Sequence, residues 1–171
     1  MSIAANIQGV LSTLPQGVML AAAAKTRTAG EINEAVSAGV RIIGENYLQD
    51  AEAVYAHVTG DVRWHFIGHL QTNKVKRAVE LFDVIETVDS VKLAAEIEKS
   101  AAAIDKVMDV LIEVNSGREP QKSGVFPQHV LALAGEIVNF PHVRLRGLIT
   151  MGPVTHDERI LRACFRETRE A

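Results

Sequence analysis

Cysteine occurs only once, at Cys164, so no disulfide can form within the chain and nothing points to an oxidising compartment. A single cysteine reads first as a small buried hydrophobe. Long apolar runs are also missing, since no stretch approaches the ~20 residues that would span a bilayer. The run VMLAAAA at 18–24 has small residues like those of a signal-peptide cleavage region. No Lys or Arg precedes it, however, and Pro15 and Gly17 break its entry, so export is not expected and the reading is cytoplasmic. An excess of one charge is lacking too. With 18 Lys+Arg against 21 Asp+Glu, the net charge of -3 gives no electrostatic ground for nucleic acid or an anionic membrane. Finally, no GxGxxG follows the first strand and no GxxxxGK[ST] occurs, which counts against a dinucleotide Rossmann domain and a P-loop NTPase.

What is present is an ordinary globular composition, 47% apolar and 23% charged over 171 residues, enough for one domain with a real core. Six short apolar runs predict strands: VMLAAAAK (18–25), VRIIGE (40–45), VRWHFIG (62–68), FDVIETVD (82–89), VMDVLIEVN (107–115) and VRLRGLITM (143–151). Most are rich in Val and Ile, as buried parallel strands are. Helical spacing lies between them. Ile32, Ala35 and Val36 share a face that Gly39 stops; Ser90 caps a segment with Leu93, Ala94 and Ile97 on its stripe. Pro127 opens a helix with Val130, Leu131, Ala134, Ile137 and Val138 as its apolar residues, and DERILRACFRETREA is a last amphipathic segment. Such strand–helix repetition predicts an α/β fold with a parallel sheet and right-handed crossovers. Six units are three quarters of a TIM-type (β/α)8 barrel, which has eight over about 250 residues.

Functional groups in parallel α/β folds gather where strands end and helices begin. That rule selects Lys25-Thr26, Gly44-Glu45-Asn46, Gly68-His69-Leu70-Gln71, Asp89-Ser90, Asn115-Ser116-Gly117 and Thr150-Met151-Gly152. Lys25 stands out, because it ends an apolar run. An amine walled by apolar side chains is stripped of water, which favours the uncharged form that attacks an aldehyde. The plainer alternative is a lysine that snorkels to solvent. His65 and His69 are four apart, but within a strand this separates them by ~13 Å, too far to share a metal. His65 then reads as a core histidine, while His69, after Gly68, is free to face a pocket. Asn46 either caps the following helix or reaches a ligand hydroxyl. NSGREPQKSG reads as a mobile, solvated loop whose Arg118 and Lys122 are available to an anion, NKVKR (73–77) as the basic face of a helix, and Met151 as a soft wall for a planar ring.

Taken together, AAAAKT, GENYLQDA, WHFIGHLQTNK, VDSVKLA, VLIEVN, KSG and VRLRGLITM resemble, in order and spacing, the pyridoxal phosphate homeostasis protein family, from about residue 18 to 151. The resemblance implies a barrel of the alanine racemase N-terminal type, one domain over residues 1–171, with pyridoxal 5'-phosphate held as a Schiff base on Lys25. It places Asn46 at the cofactor's ring substituents and Ile67 and His69 beside the ring; Met151, read from its soft side chain, is a further expected contact. It implies intracellular cofactor homeostasis without robust turnover, and PLP-dependent apoenzymes as recipients. The expected assembly is a monomer or weak homo-oligomer. Lys122 enters as a hypothetical second aldehyde acceptor.

Three departures from the family pattern stand out. The chain stops before the two late strands that supply the phosphate-binding Ser/Thr and glycine amides, and before an arginine near the pyridine nitrogen. The segment before the first strand is short. If these 171 residues are the whole protein, weakened cofactor affinity and raw strand edges, open to cover by another subunit, are the expectation; the alternative is a fragment or the ordered part of a longer chain. Two other functions compete. One is a PLP-dependent racemase, which needs acid/base groups on both faces of its substrate, where Tyr47 and Tyr55 of the second helix are poor substitutes. The other is a cofactor-free barrel fragment acting through partner contacts.

Overall fold

A computed structural model describes residues 2–171. Each of the six predicted runs contains a strand, though only three of the eight residues at 18–25 are in one, and the strands follow one another in chain order along a six-stranded sheet. The strands are β1 (Ala21–Ala23), β2 (Ile42–Glu45), β3 (Arg63–Phe66), β4 (Val84–Val88), β5 (Met108–Val114) and β6 (Val143–Thr150). The helices are α1 (Ile3–Leu11), α2 (Ala29–Ser37), α3 (Leu48–Val54), α4 (Val75–Leu81), α5 (Val91–Ala102), α6 (Val130–Ile137) and α7 (Glu158–Glu170). No helix among the described residues is long and apolar enough to cross a membrane. The chain divides into two compact units: residues up to Gly68 with Leu81–Asp83, and His69–Glu80 with Val84–Ala171.

In the first unit β1, β2 and β3 pair in parallel, with Ala23 opposite Gly44 and Gly44 opposite His65. Ile32, Ala35 and Val36 bury the α2 face that the spacing predicts, and Gly39 ends the segment at φ 111°, a left-handed turn that costs glycine nothing. Thr28 and Glu31 close a capping box at the start of α2: Glu31 N–H bonds Thr28 Oγ1 at 3.3 Å and Thr28 N–H bonds Glu31 Oε2 at 2.8 Å. Trp64 and Asp83 exchange two bonds, N–H to Oδ2 at 2.7 Å and N–H to carbonyl at 2.8 Å, which fixes Leu81–Asp83 to β3.

In the second unit β5 is largely buried, with Met108, Val110, Ile112 and Val114 shut from solvent and Leu111 and Glu113 half-buried. It pairs in parallel with β4 on one side and β6 on the other. Ser90 caps α5, its Oγ accepting from Leu93 N–H at 3.3 Å, and Leu93, Ala94 and Ile97 are buried as predicted. Burying Leu93 and Ile97 is worth about 2 kcal/mol each.

The structure corrects the sequence in three places. α1 lies where no helix was anticipated, with Ser2 Oγ accepting from Ala5 N–H at its start. The buried seam of α6 is Val130, Leu133 and Ile137, whereas Leu131 and Val138 are 75% and 65% exposed. Val130, Leu133 and Ile137 recur at i, i+3 and i+7, and Leu131 and Val138 are each turned 100° from that seam. Tyr47 and Tyr55 only flank α3: Tyr47 is its N-cap without a side-chain bond, and Tyr55 opens a 3-10 turn with its ring tilted on Trp64, centroids 5.2 Å apart.

Candidate functional site

Three of the predicted residues fall into one row of the first unit. Lys25 stands two positions beyond Ala23, Asn46 two beyond Gly44, and Ile67 two beyond His65, so carrying the register onward aligns them at neighbouring strand tips. The ladder does continue past the strands, through Ala24 N–H to Gly44 carbonyl at 2.8 Å and Ile67 N–H to Glu45 carbonyl at 2.9 Å. Ile67 lies over Gly44: a Cβ added at Gly44 would stand 2.8 Å from Ile67 Cδ1. The tips of β2 and β3 also close on each other, because a Cβ at Gly68 would reach within 2.1 Å of the Asn46 carbonyl oxygen.

Lys25 is exposed, and among the described residues its ammonium has no hydrogen bond or ion pair. The apolar wall expected from the run is therefore not there. β1 pairs only with β2 and is three residues long, and Ala21 and Ala23, which share strand parity with Lys25, are themselves exposed. Their methyl groups are too small to shelter a lysine stem. Asn46 is half-buried and does not cap α3; its side-chain amide is likewise uncommitted.

Next to Asn46 sits Glu45, which the strand-tip rule selects but to which the sequence assigned no role. Glu45 is 1% exposed and its Oε2 has no hydrogen-bond partner. Burial, aided by the negative charge of Asp50 and opposed by a bond from the Asn46 backbone, pushes its carboxyl up to about 7. The signal available was an acidic residue in a run otherwise fit for burial, IIGE.

The second unit carries the remaining predicted residues. His69 is exposed, and its Nδ1 lies 3.3 Å from Ser123 Oγ. Glu113 on β5 is half-buried; burial raises its carboxyl, Asp89 raises it further and His69 eases it. Met151 is 71% exposed beyond β6. Thr150 donates to the Val114 carbonyl at 2.7 Å, which leaves the Ser116 hydroxyl as donor to Thr150 Oγ1 at 2.8 Å. Cys164 is buried as expected, with Sγ 3.6 Å from the Ser116 carbonyl.

The NSGREPQKSG loop is tied down rather than loose. Asn115 Nδ2 donates to the carbonyls of Glu119 and Lys122 at 2.8 and 3.3 Å, and its Oδ1 accepts from Glu119 N–H at 3.0 Å. Arg118 forms a two-pronged pair with Glu167, and Lys122 pairs with Glu119 and donates to the Gly152 carbonyl at 3.3 Å. Both cations predicted to be available to an anion are engaged within the chain.

The family model for the alanine racemase N-terminal domain matches residues 1–170. A pyridoxal phosphate homeostasis protein of Pseudomonas aeruginosa is 36% identical over 157 residues, covering 91% of this chain and 68% of its own length. The chain belongs to the pyridoxal phosphate homeostasis family. Its counterpart in Pasteurella multocida is 39% identical over 143 residues, and there this chain, matched over 82% of its length, spans 61% of the relative. PipY of Synechococcus elongatus, solved with PLP bound, superposes with a TM-score of 0.91 at 33% identity, covering 99% of this chain and 79% of that one. Alanine racemase of Bacillus anthracis, at 16% identity, has a TM-score of 0.79 over 98% of this chain and 44% of its own, which shows the shared fold alone. The homologues carry the name of homeostasis proteins rather than of enzymes. Within this family, an uncommitted primary amine, an uncommitted amide and an aliphatic side chain in one row fit an aldehyde-bearing aromatic ring with a hydroxyl substituent.

Proposed function

We propose that the chain binds pyridoxal 5'-phosphate through Lys25, serves cofactor homeostasis in the cytoplasm, and turns over no substrate efficiently. The observation that carries this reading is Lys25 itself, a primary amine without a partner at the tip of β1, in register with Asn46 and Ile67. When bound, the cofactor supplies an aldehyde that a primary amine captures with loss of water. Asn46 would offer its side-chain amide to the ring hydroxyl, and Ile67 would flank the ring. His69 is assigned as a further contact by its position in the family motif, and Met151 by its soft side chain, which suits a planar ring.

The exposure of Lys25 favours a carrier over an enzyme. A catalytic site gains by excluding water, which strengthens its electrostatics and protects reactive species. A lysine open to solvent is instead reachable by incoming cofactor and by competing amines, as buffering and delivery to PLP-dependent apoenzymes require. Added cofactor is expected to give the wild-type protein a visible absorbance band that Lys25→Ala lacks entirely. Alanine should keep its chirality throughout. Racemisation above the free-cofactor rate would promote the racemase reading, and a wild-type spectrum identical to free cofactor would promote the cofactor-free one.

A further inference from the structure

A half-enclosed cavity of about 180 Å3 opens in the first unit beside β1, lined there by Ala22, Ala23 and Ala24. Ile3 and Ile7 of α1, Ala24, Ile32 and Ala35 of α2, and Ile43 of β2 form its wall. It exists because alanines stand where β1 and α2 meet. Helix α1 covers it without burying any of its own residues, tethered by Ala4 N–H to Glu34 Oε1 at 3.2 Å and by Gln8 Nε2 to the Ala38 carbonyl at 2.6 Å. For scale, an engineered apolar cavity of ~150 Å3 admits benzene.

The rim is as informative as the wall. Its charged groups are Arg27 and Glu31, with Arg27 Nη1 3.1 Å from Glu31 Oε1. Thr28 holds the other oxygen of Glu31 through its N–H at 2.8 Å and its hydroxyl at 3.0 Å. Hydrogen bonds from Thr28, then Arg27, hold this carboxyl below the usual range, so it is ionised and oriented at neutral pH. A fixed carboxylate and a guanidinium with unused N–H groups thus stand side by side over an apolar hole. The complementary molecule has a carboxylate and an ammonium on one carbon and an apolar side chain. Exposed ion pairs are weak, so the ligand loses little by replacing their mutual contact.

We propose that this cavity is a binding site for free apolar α-amino acids of leucine to phenylalanine size, with side chain inward, carboxylate on Arg27 and ammonium on Glu31. It stands apart from the cofactor reading and needs no cofactor. The test is NMR of isoleucine methyl groups in Lys25→Ala protein, where no added amine can exchange with a lysine-bound aldehyde. L-Leucine is expected to shift the methyls of Ile3, Ile7, Ile32 and Ile43 saturably. Isocaproate, without the ammonium, and isoamylamine, without the carboxylate, should each bind about tenfold more weakly. The surface change Arg27→Gln should weaken leucine binding to a similar extent with the spectrum otherwise preserved, and Ala24→Val, which fills the hole, should abolish it. Equal binding of leucine and isocaproate would overturn the proposal, as would the lack of a saturable shift at these methyls. If Ala24→Val does not fold, the ligand series and Arg27→Gln decide the matter unaided.

Discussion

Gly68→Ala is expected to cost about 3 kcal/mol of stability, the upper part of the range for overpacking. The new Cβ would stand 2.1 Å from the Asn46 carbonyl oxygen and 2.8 Å from Asn46 Cα. These are backbone atoms and cannot turn aside as a flexible side chain does. The link from β2 to α3 must retreat by about 1 Å before ordinary contact returns. That link carries Asn46, so its alignment with Lys25 should be lost along with the stability. Urea denaturation of Gly68→Ala and wild type measures the first effect, and a midpoint within error of wild type would show that the two strand tips do not approach as described. Amide shifts of Asn46 and Tyr47 report the second.

Glu45 gives the protein a pH-dependent stability of opposite sign to that of an ordinary paired carboxylate. Its carboxyl is raised from 4.5 in the unfolded chain to about 7 in the folded one. Between those values the folded state binds the proton that the unfolded state has released. Stability therefore falls as pH rises through this window and levels off above it. At about 1.4 kcal/mol per decade, the contribution is about 3 kcal/mol, present in full below pH 4.5 and lost above pH 7. Glu113 is raised as well and acts in the same sense. Glu45→Gln isolates the effect, since the amide cannot ionise. Its stability relative to wild type should improve by about 3 kcal/mol between pH 4.5 and pH 8. Parallel pH profiles for the two proteins would contradict a buried, proton-binding Glu45.

Strands β2 to β5 were legible because they lie in Val- and Ile-rich runs, and burial leaves little room for anything else; β1, three alanines with two of them exposed, was legible only as part of a longer apolar run. The caps at Ser90 and the stop at Gly39 were legible for the same local reason, since the residue type is the mechanism. The face of α6 was not, because aliphatic residues surround most of that helix and only its neighbours select Val130, Leu133 and Ile137. Helix α1 escaped notice although Ile3, Ile7 and Leu11 keep four-residue spacing; its face is only half-buried, and its polar tethers Glu34 and Ala38 lie some 30 residues away in sequence. The loop after β5 looked free from its glycines and proline, but the Asn115 side chain bonds Glu119 and Lys122 within it, and Arg118 and Lys122 pair with Glu167 and Glu119.

Lys25 shows both what sequence conveys and where it fails. Its position at a strand tip, in line with GEN and with IGHLQ, followed from the motifs. Its surroundings did not, because shelter depends on what stands beside β1, and the alanines of that short strand provide none. The amine proposed to hold the cofactor is thus marked by its place in the register and its lack of a competing partner, not by a dry wall.

The decisive measurement is a peptide mass map of the protein incubated with pyridoxal 5'-phosphate and reduced with borohydride, which fixes the cofactor on whichever amine holds it. The account predicts one modified residue, Lys25, at full occupancy, with Lys122 unmodified because Glu119 and the Gly152 carbonyl engage its ammonium. Label spread evenly over the exposed lysines, or concentrated anywhere other than Lys25, would contradict it.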